Sequence, residues 1–401
     1  MKILYVHHVR NFDSGEAYES DSFVSANSRL YGAQELDTWG GVRLLKSLST
    51  VDRFEISPNL NSSRFVGSSI QEKSLVKWHE SSSKARRGNA HRLAALIRNR
   101  FDPSVSYWQE RNLISHFQEV LTSKQYDLVW VDTQFYLPLL SKLAKCPTII
   151  RSVNFEPRHV LAEDDSAFRY LKALPKTLTE LRSSRIANIV SISPRDVGDY
   201  NKIGIQTSLL PLRQLPFVLE TEFSPIDDSK SIYFSGSSYD VLHNRRNLYF
   251  ILKEIAPKLA QIAPEVRINI SGHRFPVGLS TGKNVSQVGF LGDLQSKLLG
   301  SLSVIVPYSG GAGMQSKVFE SLTIGARVIA NPNAIAGYPF KDALHYTPAR
   351  NSSEFIEAIL FTINHKDELM TQAEAAKRLA QDLFSRPYMM ARLQKTVESI
   401  F

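Results

Sequence analysis

One cysteine, Cys146, stands in 401 residues. It excludes an intramolecular disulfide, argues against a cysteine-based zinc site and fits a reducing compartment. No apolar run approaches the roughly 18–20 residues that a membrane span needs. The opening MKILYVHHV is too short an apolar stretch, and too polar afterwards, to read as a secretory leader. These absences predict a cytosolic protein and leave room for peripheral attachment to the inner face of the cytoplasmic membrane. No internal repeat, low-complexity tract or Walker A sequence occurs, and no Asp-x-Asp pair offers to hold a metal.

Acid is the scarcer charge, and the net charge is +9. Residues 1–205 hold 28 Lys and Arg against 22 Asp and Glu, and residues 206–401 hold 20 against 17. The first half's excess is concentrated in 84–100 (KARRGNAHRLAALIRNR), with six basic residues and no acidic one. That stretch reads as a solvated helix or as a face for anionic lipid, with Leu93, Leu96, Ile97 and Phe101 as apolar contacts. A nucleic-acid face is the third reading, but no binding motif or stacking array supports it.

What is present is a globular α/β pattern. At this length two domains of about 200 residues are the natural prior. Strands are expected at Ile3 to Val6, Phe54 to Ser57, Asp127 to Asp132, Thr148 to Arg151 and Ile189 to Ile192. Helical spacing marks 93–97, 113–121, 137–143 and 167–185. Gly40-Gly41 reads as a turn ahead of a helix, and the polar stretch 11–38 as a loop. Residues 210–228 carry three prolines and read as a linker. A second series follows, with strands at Ser231 to Phe234, Arg267 to Ile270, Val304 to Val306 and Val328 to Ala330. Its helices are expected at 248–260, 294–299, 316–323 and 354–364, with a helical tail broken at Ser385-Arg386-Pro387. Alternation of this kind predicts two parallel sheets with covered faces and a ligand cleft at their carboxyl ends.

The stretch Gly310 to Pro332 (GGAGMQSKVFESLTIGARVIANP) carries the most chemistry. A glycine-rich turn leading into a helix directs backbone N–H groups and a partial positive charge at one spot, which suits a phosphate. Lys317 adds a full charge, and Glu320, three residues on, can accept from a sugar hydroxyl. The plainer reading of Gly310 to Gly313 is an ordinary strand-to-helix turn. A dinucleotide fingerprint fails because Ser316 stands where its third glycine belongs.

Five elements in order give a resemblance. They are FSGS (Phe234 to Ser237), HNRRN (His243 to Asn247), INISG (Ile268 to Gly272), VGFLGDL (Val288 to Leu294) and VPYSGGAGMQSKVFESLTIGARVIA. Together they resemble the nucleotide-sugar half of glycosyltransferase family 4. The first half matches loosely, through MKILYV, WGGVR, DLVWVD, RSVNFE and SISPRD. The resemblance implies a GT-B fold, two Rossmann-like parallel-sheet domains facing across a cleft. It sets an acceptor-binding domain at 1–209, the linker at 210–228 and a donor domain at 229–386. The helix 387–401 would return to the first domain.

The resemblance also implies roles. Lys317 would meet the donor diphosphate and Glu320 the nucleotide ribose. Gly236, Gly272, Phe290, Gly311, Ala312 and Gly313 would line the donor. Ala312 replaces a family glutamate that holds the donor sugar. Arg245 or Arg246 would supply a further cation, and Gly41 sits either at a packing turn or with its amide at the cleft. Asn154 and Glu156, after a strand of the first half, are candidates beside His7, His8 and His159. The implied activity is transfer of a sugar from a nucleoside diphosphate to a hydroxyl of a glycan or lipid-linked acceptor, with retention. No cofactor or metal is expected, and the setting would be surface polysaccharide or glycoconjugate synthesis. A GT-B-like sugar-nucleotide epimerase and a non-catalytic partner subunit are the alternatives.

Overall fold

The uninterrupted apolar runs become central strands. Ile3 to Val6 lies in β1 (Lys2–His8), whose residues 3–7 are all buried. A strand covered by helices on both faces needs such a run. A computed structural model describes residues 1–9, 12, 33–57, 60, 62–69, 73–77, 111–132, 144–279, 281–289, 291–308, 310 and 314–401. They divide into two units: β1, Asp37–Arg213 and Met390–Phe401 form one, and Gln214–Met389 the other.

Unit one continues from β1 with α1 (Ala33–Lys46), β2 (Thr50–Ser57), β3 (Ser62–Val66), β4 (Lys73–Lys77) and α2 (Arg111–Ser123). Next come β5 (Leu128–Asp132), β6 (Thr148–Ser152), α3 (Glu156–Glu163), α4 (Arg169–Ser183), β7 (Asn188–Ser191), α5 (Pro194–Lys202) and β8 (Ser208–Leu209). The sheet order is β4-β3-β2-β1-β5-β6-β7-β8. Its pairings are parallel except β2 with β3 and β3 with β4, an antiparallel edge in which β3 alone runs reversed and which the apolar-run criterion did not find. Beneath it Leu4, Val6, Phe54, Leu113, Phe117, Val131 and Ile150 share one core.

Unit two holds α6 (Leu215–Leu219), β9 (Asp228–Ser238), α7 (Leu242–Phe250), a π-helical turn at Ile251–Ile255 and α8 (Ala256–Ile262). β10 (Arg267–His273), β11 (Val285–Gly289), α9 (Leu294–Gly300), β12 (Ser301–Val306), α10 (Ser316–Ile324) and β13 (Val328–Ala330) follow. α11 (Pro332–Ile335), β14 (Thr347–Pro348), α12 (Ser352–Asn364) and α13 (Lys366–Phe384) complete the series, and α14 (Arg386–Glu398) belongs to unit one from Met390 on. Its sheet is parallel throughout, ordered β11-β10-β9-β12-β13-β14. The helix expected at 248–260 begins earlier and carries the π turn just before Pro257. Proline there has no N–H to give and crowds the carbonyl four residues back, so the ladder slips by one residue.

Several expectations need correction. Gly40-Gly41 is no turn; it lies inside α1, which also takes in the last residues of the expected loop 11–38. The division between the units falls within 210–228, between Arg213 and Gln214, and Leu210, Leu212, Leu215 and Phe217 are buried there. The short helices α3 and α5 were not anticipated. The expected helices at 93–97 and 137–143, the basic stretch 84–100 and most of 11–38 lie outside the described residues.

Candidate functional site

In unit two the chain moves from β9 outward to β10 and β11, then returns to the other side of β9 as β12. The carboxyl ends of β9 and β12 therefore flank the topological switch point, where open α/β sheets bind ligands. Each strand leads into a helix, α7 after β9 and α10 after β12. A small cavity between them is lined by Phe234, Ser235, Asn244, Asn247, Gln315 and Lys317, among others.

Lys317 and Asn244 join the two helices. Lys317 Nζ donates to Asn244 Oδ1 at 2.7 Å and sits 5.7 Å from the centre of the Phe234 ring. Asn244 Nδ2 donates to Ser237 Oγ and to the Ser238 carbonyl, both at 3.0 Å, which fixes the amide with its oxygen towards the lysine. Burial lowers Lys317 to a pKa of about 8, against an opposing pull from Glu320. The cation is thus held by a neutral partner, an arrangement that an arriving anion can displace.

Glu320 lies one turn further along α10. It accepts from Gln214 Nε2 at 2.5 Å. Burial raises its pKa to about 7, although Lys317 and Gln214 both act to lower it. The Tyr338 ring stacks on Phe319 with centroids 4.7 Å apart. Its hydroxyl, shielded from solvent, has no hydrogen-bond partner among the described residues and feels the Glu320 charge. A carboxylate and an unsatisfied hydroxyl together suit a ligand bearing hydroxyl groups.

The remaining expected residues fall differently. A Cβ at Gly236 would overlap Tyr239 Oη, and one at Gly272 would come within 2.7 Å of the Ser237 carbonyl, so packing accounts for both glycines. Tyr239 Oη donates to the Ser271 carbonyl at 2.7 Å in the space they leave. Arg245 and Arg246 lie half-buried in α7, where it is their neighbour Asn244 that meets Lys317. Asn244 stood in the HNRRN motif, and its pairing with Asn247 and Leu248 on one buried face was the available signal. Gln214 and Tyr338 had none. Gly310 has a φ of 108°; Phe290, Gly311, Ala312 and Gly313 lie outside the described residues.

Unit one carries two buried polar clusters. In the first, Arg213 Nη2 donates to Asp132 Oδ1 at 2.7 Å and to Tyr5 Oη at 3.0 Å. Tyr5 Oη in turn donates to the Thr38 carbonyl at 3.1 Å. Arg151 pairs with Asp37 and Asp132, and the Thr38 hydroxyl donates to Asp132 at 2.5 Å. Burial would raise the Asp132 carboxyl, but Arg213, Arg151 and Thr38 outweigh it and hold it at about 2. Gly41 serves this cluster: a Cβ there would overlap the Arg213 guanidinium. Its amide belongs to the interior of α1, so the expectation of a cleft-facing amide is corrected.

The second cluster takes in the other two candidates. Glu156 is only 5% exposed; its N–H points at Glu180 Oε1, 3.4 Å away, and Lys176 Nζ is 4.0 Å from its carboxylate. It is a packed residue. Burial and the Glu156 charge push Glu180 up to about 8. Tyr200 Oη lies 3.0 Å from Glu180 and 2.8 Å from Ser152 Oγ, which donates to the Asn154 carbonyl at 2.7 Å. Asn154 is half-buried just beyond β6, and His7 is buried within the sheet.

Among known proteins, no family model and no curated protein matches this chain. Solved structures do. Sucrose-phosphate synthase from Thermosynechococcus elongatus matches at a TM-score of 0.66 and 12% identity, over 100% of this chain and 99% of its own. HepE from Anabaena, solved with UDP and glucose, matches at 0.58 and 14% over 100% of both chains. The fold is GT-B. A candidate UDP-N-acetylglucosamine 2-epimerase from Listeria monocytogenes shares it, at 0.55 and 12% over 99% of this chain and 96% of its own. At these identities the likeness is one of fold. Among the described residues no cluster of His, Cys, Asp and Glu is arranged to hold a metal, and no helix is long and apolar enough to cross a membrane.

Proposed function

We propose that the protein is a glycosyltransferase resembling family 4. It moves a sugar from a nucleoside diphosphate to a hydroxyl of a glycan or lipid-linked acceptor, with retention, in surface polysaccharide or glycoconjugate synthesis. Unit two takes the donor and unit one the acceptor. The observation that carries this is Lys317, a half-buried cation held by a neutral amide at the switch point, with Glu320 one turn beyond it. Charge develops on the leaving diphosphate, and a preorganised cation beside the N-terminal amides of α10 stabilises it. Arg245 or Arg246 supplies a second cation. Glu320 and the Tyr338 hydroxyl take the ribose, and no metal is called for. HepE was also solved with UDP-glucose, which supports a uridine nucleotide as the donor.

The test is calorimetric titration with a panel of sugar nucleotides. A charged hydrogen bond contributes about 1.5–3 kcal/mol, so Lys317→Met should weaken UDP-sugar binding by roughly 10- to 150-fold. Glu320→Ala should weaken it as well. Unchanged affinity in Glu320→Ala would show the site assignment to be wrong. Interconversion of the free sugar nucleotide without acceptor would establish the epimerase reading, and absence of binding across the panel the partner-subunit reading.

A further inference from the structure

A cavity of about 640 Å³ lies within unit one, lined by the edge of its sheet and the end of α14. Small-molecule pockets usually measure about 300–1,000 Å³. Asn188 and Ser208, the first residues of the parallel strands β7 and β8, stand in its wall. The cavity therefore sits at the amino end of these strands, whereas open α/β sheets bind their nucleotides and cofactors at the carboxyl ends. α5 contributes Asn201 and α14 contributes Thr396.

The wall is polar without being charged. Asn188, Asn201 and Gln206 are exposed side-chain amides, and among the described residues that line the cavity there is no Lys, Arg, His, Asp or Glu. An ion would find no counter-charge there. Amides both give and take hydrogen bonds, so they suit a neutral ligand that does the same. No aromatic ring stands in the described wall either, and a nucleobase would lack the stacking partner it favours. Thr207 adds a hydroxyl oxygen that is shielded from solvent and has no hydrogen-bond partner among the described residues. Such a group costs stability until something pairs with it. Ile189 and Ile400 supply apolar surface. A saccharide matches this mixture, with hydroxyls around its edge and C–H groups on its faces.

We propose that this cavity binds a neutral saccharide, at a site separate from the nucleotide site of unit two. Ring hydroxyls pair with the three amides and the Thr207 hydroxyl, and a C–H face lies against Ile400. The inference stands on the chemistry of the cavity and does not depend on the donor-site reading.

The experiment is saturation-transfer NMR and calorimetric titration of the full chain with neutral di- to tetrasaccharides of glucose and of N-acetylglucosamine, at low and high salt. Binding is expected, equal at both salt concentrations because no charge takes part. Asn201→Ala/Gln206→Ala should weaken it about tenfold through the loss of two neutral hydrogen bonds. Its melting temperature and UDP affinity should stay those of the parent, because both side chains are exposed and belong to unit one. Thr207→Val keeps the shape and drops the hydroxyl, so it should weaken saccharide binding without lowering the melting temperature. No binding by any of these saccharides would overturn the proposal. So would a double-alanine variant that binds like the parent, which would put the saccharide elsewhere on the protein, and so would binding that falls as salt rises.

Discussion

Two helical glycines should respond in opposite directions to the same substitution. Alanine is favoured over glycine in a helix interior by about 1 kcal/mol. Gly198 lies in α5, and a Cβ there meets nothing within 4 Å. Gly198→Ala should therefore stabilise the protein by about 0.5–1 kcal/mol. Gly41 lies in α1, and a Cβ there would fall inside the guanidinium of Arg213. Arg213 is 0% exposed and bonds Asp132 at 2.7 Å and Tyr5 at 3.0 Å, so it cannot swing aside without breaking both contacts. Overpacking costs about 1–3 kcal/mol, and stranding a buried charge about 3–5. At the low end of both, after the helical gain, Gly41→Ala still loses about 3 kcal/mol.

A unit of this size shifts by about 2–4 °C per kcal/mol, so its melting transition should fall by roughly 6–12 °C. Differential scanning calorimetry of the parent and the two variants measures this directly. A Gly41→Ala protein that melts at or above the parent would refute the role given to Arg213. UDP titration of the same protein separates packing from ligand contact. If the Gly41 amide held donor phosphate, affinity would drop while the melting temperature stayed put.

Two further outcomes are expected at the donor site. The diphosphate needs Lys317 protonated, which fails as pH rises through about 8, and acceptance of a ribose hydroxyl needs Glu320 ionised, which fails as pH falls through about 7. UDP affinity by calorimetry should peak between those values, and Lys317→Arg should flatten the alkaline limb; a monotonic profile in the parent would contradict the assignment. Asn244→Asp would set a carboxylate where Lys317 now meets an amide oxygen at 2.7 Å. That charge competes with the diphosphate, so UDP should bind about tenfold more weakly by the same titration, and equal affinity would argue against Lys317 as its partner.

The central strands were legible because burial on both faces leaves a plain mark. Ile3 to Val6 and Val304 to Val306 are unbroken apolar runs, and both stand mid-sheet. The edge strand β4, KSLVK, is mostly exposed, so it carries no such mark. Gly40-Gly41 misled because glycine pairs signal turns when only local preference is weighed. Here the close approach of Arg213, 172 positions along from Gly41, requires a missing side chain within a helix. Lys317 and Glu320 were legible from their place one turn apart at the start of a helix after a glycine turn. The contact of Asn244 with Lys317 became visible only when the reversal of strand order set α7 beside α10. Gln214, which reaches Glu320 across 106 positions of sequence, had no local sign at all.

The row of oxygens from Glu180 to Asn154 has a direction. A hydroxyl carries one hydrogen and cannot give it to two acceptors. With a proton on Glu180, each oxygen passes one hydrogen onward: Glu180 to Tyr200, Tyr200 to Ser152, Ser152 to the Asn154 carbonyl. Every oxygen then has a hydrogen to face, and the high pKa of Glu180 keeps that order at neutral pH. Take the proton away and Tyr200 turns its hydrogen back to the carboxylate, and Ser152 can give its own either to Tyr200 or to the Asn154 carbonyl, not to both. A single proton on α4 thereby sets the direction of the hydrogen bonds that join α4, α5 and β6.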